Sequence, residues 1–296
     1  MTLPVYFTPR MVAESGGFSP SAAKPAQVVE RLRASGLPIT VIEPAPVEID
    51  ELCLAHERAF VQDVLACRAP NGFGNRSPAI AATLRYTTGA MLSAARHVLD
   101  AGGIACAPCS GFHHAGYRSP GGFCTFNGLM TTACALRHTG RVGRVGIVDL
   151  DMHYGDGTDE IINELDAASW VEHFTAGSEY TRPEQATAFF AGLPARLDAM
   201  RGCDLVLYQA GADPHVDDPL GGWLTTEQLA SRDALVFETF TRLGIPVVWN
   251  LAGGYQREDD GSIPKVLEIH ENTARASLAA MTRFLESDLT TRSARR

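Results

Sequence analysis

Eight residues of this chain have side chains and spacings suited to hydrolytic chemistry. Asp151 and His153 stand two apart in the run VDLDMHYGDGT, and on an extended backbone both would point to one side. With Asp213, in the run AGADPH, they make two carboxylates and one imidazole, a set that leaves one coordination position open. This is the donor pattern of a catalytic zinc, which polarises a carbonyl and lowers the pKa of its water to about 7; the same set accommodates iron(II). The tandem pair His113 and His114 supplies acid–base groups that work near neutral pH. Asp149 and Asp156 are available to accept from histidine N–H groups, which would fix tautomer and basicity. Tyr255, after Gly253 and Gly254, offers an O–H to a developing oxyanion.

Taken singly, each has a plainer reading. An Asp at a strand end is more often a helix cap or turn residue, a tandem His pair more often a satisfied surface or core pair, and a Tyr after Gly-Gly more often packing. The run DLDMHYGDG is different, because several buried charges clustered without a metal or partners are costly.

The elements that must position these groups are legible as short apolar runs: ITVI (39–42), GIAC (103–106), VGIV (145–148), LVLY (205–208) and PVVW (246–249). Runs apolar on both faces predict strands covered on both sides, hence a parallel sheet. Helical spacing covers 26–34, 78–99, 126–138, 183–200 and 226–243, with Leu229, Val236 and Phe240 as a core stripe. The alternation predicts a single α/β domain over residues 1–289, a predominantly parallel central sheet with helices on both faces, followed by a polar tail, 290–296. In open parallel sheets ligands bind outside the carboxyl ends of the strands. The histidine pair follows the 103–106 run, the Asp-x-Asp-x-His follows 145–148, Asp213 follows 205–208 and Tyr255 follows 246–249.

Composition narrows the class. In 296 residues, 25 Lys and Arg against 34 Asp and Glu give a net charge of −9, with no basic cluster to hold phosphates, so nucleic acid is not expected as a direct partner. At 45% hydrophobic and 20% charged residues the chain reads as globular. Seven cysteines at irregular spacings read as reduced thiols; with no signal-peptide h-region and no run of about 18 apolar residues, a cytoplasmic protein with no membrane partner is expected. Cys106 and Cys109 form a CxxC by pattern, but no second CxxC exists and inert packing is the expectation. The oligomeric state has no signature in the chain.

SGFHHAG, VDLDMHYGDGT, AGADPHVDDPLGG and NLAGGYQ occur in the order and context of the histone deacetylase superfamily, which the chain resembles strongly from about Gly103 to Tyr255 and loosely before that. The wording GFHHA, SPGGFC and GGYQ is most similar to the small class IV deacetylases and their bacterial relatives. The resemblance implies the arginase/deacetylase fold and zinc ligation by Asp151, His153 and Asp213. It implies His114, backed by Asp156, as general base and then acid, with His113, backed by Asp149, as an electrostatic partner. It further implies Tyr255 at the oxyanion, Gly122 and Phe123 in the wall of a narrow substrate tunnel, and a structural potassium near Asp149, Asp151 and the backbone of His153. Phe112 and Cys109 depart from the family's Gly and Arg at those positions, Tyr154 replaces a second His, and 169–181 lacks the family's usual signals for the opposite wall.

The expected activity is therefore metal-dependent removal of an acetyl or longer acyl group from a primary amine, an acyl-lysine peptide first and an acetylpolyamine or other small acylated amine second. Polyamine-selective relatives place an acid after the Asp-Pro that follows the third ligand, where this chain has Leu220. An arginase-type two-manganese site would need further Asp ligands that DLDMHYG and AGADPH do not supply. A catalytically silent module that binds acyl-lysine or a metabolite is the reading of another class, disfavoured because His113, His114 and Tyr255 are all present.

Overall fold

The five apolar runs become strands of one parallel sheet, four of them inner strands and ITVI the edge strand β2. The computed structural model describes the backbone of residues 1–294 and side chains through residue 283. Its strands are β1 (Leu3–Tyr6), β2 (Ile39–Ile42), β3 (Ile104–Cys106), β4 (Val145–Asp149), β5 (Val171–Thr175), β6 (Leu205–Gln209) and β7 (Val247–Asn250). They are all parallel, in the order β2-β1-β3-β7-β6-β4-β5. The helices are α1 (Lys24–Ala34), α2 (Ile49–Leu52), α3 (Arg58–Leu65), α4 (Pro78–Ala101), α5 (Gly128–His138), α6 (Asp156–Glu164), α7 (Ala186–Asp198), α8 (Thr226–Leu243) and α9 (Pro264–Ala294). Helix α9 thus extends through the first five residues of the segment read as a polar tail, whose Arg295 and Arg296 lie outside the described residues.

Both faces of the inner strands β3, β7, β6 and β4 are buried, which is why these strands carry no polar alternation. In β6, Leu205 and Leu207 join the core that α3, α4 and α5 cover, whereas Val206 and Tyr208 join the core under α1, α7, α8 and α9. Local signals set the helix ends: the Ser77 side chain accepts from Ile80 N, Asn127 from Met130 N, and Thr225 and Gln228 cap α8 reciprocally.

The reading of the sequence missed β1 and β5. Strand β1 is four residues with Pro4 inside it, and β5 is an edge strand whose half-buried Glu172 and His173 break the apolar run. The strand order has a consequence for the site. The chain lays down β1 to β5 first and closes the middle with β6 and β7, so the carboxyl ends of β3, β7, β6 and β4 end up side by side.

Candidate active site

The carboxyl ends of those adjacent strands and the segments that follow them carry every expected site residue. Asp149 is the last residue of β4; Asp151 and His153 lie in the turn after it, tied down by Asp151 N donating to Asp149 Oδ1 (3.2 Å) and His153 N donating to Asp151 Oδ1 (3.0 Å). Asp213 follows β6, accepts Met152 N at 3.2 Å and is fully buried, as Asp151 nearly is. His153 Nδ1 lies 3.2 Å from both Asp151 Oδ1 and Asp213 Oδ2, and one donor atom from each of the three falls within 4.8 Å of the others.

These donors fit a metal ion. Burial and the charge of Asp151 push the Asp213 carboxyl up, to about 7. Hydrogen bonds that its ring donates to the same two carboxylates hold His153 up at about 11. Two buried carboxylates facing one imidazole are a field that calls for a cation, and a divalent ion answers it better than a single proton. Gly253 N donates to the remaining Asp151 oxygen at 2.8 Å, which orients that carboxylate.

The two histidines hang from the loop after β3, their ring centroids 4.1 Å apart. His113 Nδ1 sits 2.8 Å from Asp149 Oδ2, and His114 Nδ1 sits 2.6 Å from Asp156 Oδ1. Asp156 opens α6, where the helix dipole favours its carboxylate. Both pairings place the proton on Nδ1 and leave Nε2 for the site. The environments then separate the two rings. Burial opposes charge on His113, but Asp149 and Asp151 outweigh it and hold the imidazole at about 9; burial and the neighbouring His113 bring His114 below the usual histidine value, against the pull of Asp156. The two surroundings thus push the neighbouring imidazoles in opposite directions, His113 up and His114 down.

Tyr255, in the loop after β7, is 7% exposed. Its ring centroid lies 5.6 Å from that of Phe123 and stacks at 6.1 Å on exposed Phe18. Burial, with the charges of Asp213 and Asp151, pushes its hydroxyl well above the usual value, so the group is an O–H donor at any working pH. Gly122 has φ +48°, and a Cβ there would run into the His114 ring, so only glycine lets the SPGGF loop fold over that histidine. Phe123 follows at φ +64°, unusual for a bulky side chain, and packs against Phe73 and Tyr255.

Other polar and thiol groups around the site serve the fold. His215 is buried, with Nε2 3.0 Å from Thr226 Oγ1 and Nδ1 accepting Asp217 N. Cys106 and Cys109 point into opposite core layers, and burial raises both thiols. His173 pairs with Asp159 at 2.7 Å, as does the Tyr154 hydroxyl at 2.5 Å. From the unassigned stretch 169–181, Thr175 Oγ1 accepts Gly155 N and Gly177 lies against the His153 backbone, so β5 and the turn after it buttress the Asp151–His153 turn.

One residue at the site went unread. Lys24 is fully buried and donates from Nζ to the carbonyls of Ala252 (2.7 Å) and Gly253 (3.2 Å), holding the loop that carries Tyr255. Its signal was a charge sharing an apolar face with Val28 and Leu32, at helical spacing of four.

The model of the histone deacetylase domain matches residues 19–188 and 178–268. The chain belongs to the histone deacetylase family. An uncharacterised protein of the cyanobacterium Picosynechococcus is 31% identical over 245 residues, 74% of this chain and 80% of that protein. Acetylpolyamine amidohydrolase of Mycoplana ramosa is 26% identical over 171 residues, 48% of this chain and 49% of that protein. The crystal structure of acetylpolyamine aminohydrolase from Burkholderia pseudomallei superposes with a TM-score of 0.74 at 21% identity, covering 94% of this chain and 99% of that one, a likeness that establishes the arginase/deacetylase fold. This histone deacetylase family member is thus a deacetylase-type hydrolase with an Asp/His/Asp cluster able to hold a metal. Among the described residues no helix is long and apolar enough to cross a membrane.

Proposed function

We propose that the protein hydrolyses the amide of an acylated primary amine, with a divalent metal, zinc first, held by Asp151, His153 and Asp213. The observation that carries this is the convergence of those three donors beside two His–Asp pairs, His113–Asp149 and His114–Asp156. A bound ion would polarise the scissile carbonyl and acidify a water. His114, kept neutral, takes that water's proton on Nε2 and later gives a proton to the leaving amine. His113, backed by Asp149, is the electrostatic partner of His114, and the Tyr255 hydroxyl donates to the oxyanion.

Acyl-lysine is the substrate we favour. Leu220, 38% exposed, stands on the loop after Asp213 where an acid would suit a polyamine, and exposed Val216 and Phe18 add apolar surface nearby. A small acylated amine is the second reading, supported by the acetylpolyamine relatives and by exposed Asp217 on the same loop. The acyl group is acetyl or longer, and the relative turnover of acetyl-lysine and long-chain acyl-lysine peptides reads which is preferred.

The test is acid release by the zinc-loaded protein from acetyl-lysine peptide, long-chain acyl-lysine peptide and acetylated polyamines, with a chelated control. Turnover lost on chelation and fastest on acetyl-lysine is the expected result; silence across the panel with zinc bound would favour a binding module. Phe123→Ala is expected to raise KM about five- to tenfold with kcat less affected, because it removes a wall and not a reacting group. Steady-state kinetics check this, and the tunnel assignment fails if neither constant moves.

A further inference from the structure

Helix α8 carries a charged pair on its apolar stripe that the proposed chemistry does not use. Arg232 and Asp233 lie between Leu229 and Val236, and both are fully buried. Arg232 Nη1 donates to two carbonyls, those of Leu150 and Gly211, each at 2.9 Å. Its Nε donates to Asp233 Oδ1 at 2.8 Å, and the Asp233 carboxylate also accepts the hydroxyls of Tyr208 and Thr273.

The two carbonyls are not arbitrary. The β4–β6 ladder ends at the pair Asp149–Gln209, and beyond it each segment runs on into the turn that carries its ligand. Leu150 immediately precedes Asp151, and Gly211 stands two residues before Asp213. The loops are so close there that a Cβ on Gly211 would come 2.6 Å from Asp213 Oδ1 and 2.9 Å from the Asp151 Cα. One nitrogen of Arg232 therefore ties both ligand-bearing loops together where the sheet stops holding them.

Packing alone does not explain such a pair. A buried ion pair is commonly no more stabilising than apolar side chains of equal volume, so its presence here points to a demand for geometry. Only a planar fork can reach two carbonyls and a carboxylate from one helix position; a lysine offers a point charge. We infer that Arg232, oriented by Asp233, is a positioning residue that sets the spacing of the Asp151 and Asp213 carboxylates and thereby the affinity of the site for its divalent cation. This rests on the metal centre proposed above.

The experiment measures zinc affinity of the full chain by competition with a chromophoric chelator, alongside melting and circular dichroism of the chelated form. Arg232→Lys is expected to weaken zinc binding about 10- to 100-fold, as loss of an outer partner does, with the fold retained and KM at saturating zinc unchanged. A lowered melting temperature with the parent's zinc affinity would mark a merely structural residue and overturn the inference. Should Arg232→Lys fail to fold, Asp233→Asn keeps an acceptor for Nε but removes the countercharge; several-fold weaker zinc binding supports the inference and parent-like affinity overturns it. A parent chain that binds no zinc would overturn the metal centre itself, and the inference with it.

Discussion

Asp213→Ala is expected to leave the protein with little bound zinc and to lower turnover at least about 100-fold at stoichiometric metal. Loss of an outer-sphere partner alone costs about 10–100-fold in metal affinity, and Asp213 is proposed as one of only three protein donors. Asp213→Asn is the informative companion. It keeps the shape of the side chain and an oxygen for Met152 N, yet removes a carboxylate whose charged form burial and the Asp151 charge disfavour. The chelated Asn variant should therefore be no less stable than the parent while binding zinc as poorly as the Ala variant. Metal content after dialysis and melting of the chelated proteins check both statements. Unchanged zinc stoichiometry would show that the third ligand lies elsewhere.

The site was legible because its residues sit at a place the fold class dictates. Once a run such as VGIV is read as a strand buried on both faces, the polar residues immediately after it must emerge at its carboxyl end, and the sequence needs no strand order for that. The order supplies what the sequence lacked. Nothing local says that β7, last in the chain, inserts between β3 and β6. That insertion is what brings Tyr255 beside Phe123 and close enough to Asp213 to feel its charge, residues separated from it by 132 and 42 positions.

The groups that escaped notice are buried cations whose partners are backbone carbonyls. Lys24 and Arg232 bond only or mainly to main-chain oxygens of distant loops, and a carbonyl has no residue type to read. Their one trace is a charge on an apolar helical stripe, beside Val28 in α1 and beside Leu229 and Val236 in α8. Strand β5 was hidden for the opposite reason. At the sheet edge Glu172 can pair with Arg144 at 2.7 Å and His173 with Asp159, so the segment carries polar residues that an inner strand would exclude.

Tyr255→Phe separates chemistry from architecture. The ring contacts with Phe123 and Phe18 survive in phenylalanine, and so does the backbone N–H that donates to Asp218 Oδ2 at 2.8 Å. Only the hydroxyl is lost. Because burial and the Asp213 and Asp151 charges keep that hydroxyl protonated, its role is to donate, and removing one oxyanion donor costs about 10²–10³ in kcat. The expected result is a fall of that size in kcat with KM within about threefold and zinc content unchanged, measured on the best substrate of the panel. A variant with full turnover would remove Tyr255 from the mechanism. A variant that also loses zinc would mean that the hydroxyl helps to hold the Ala252–Tyr255 loop, whose Gly253 N–H orients Asp151, so the split between kcat and metal content tells which end of that loop the hydroxyl serves.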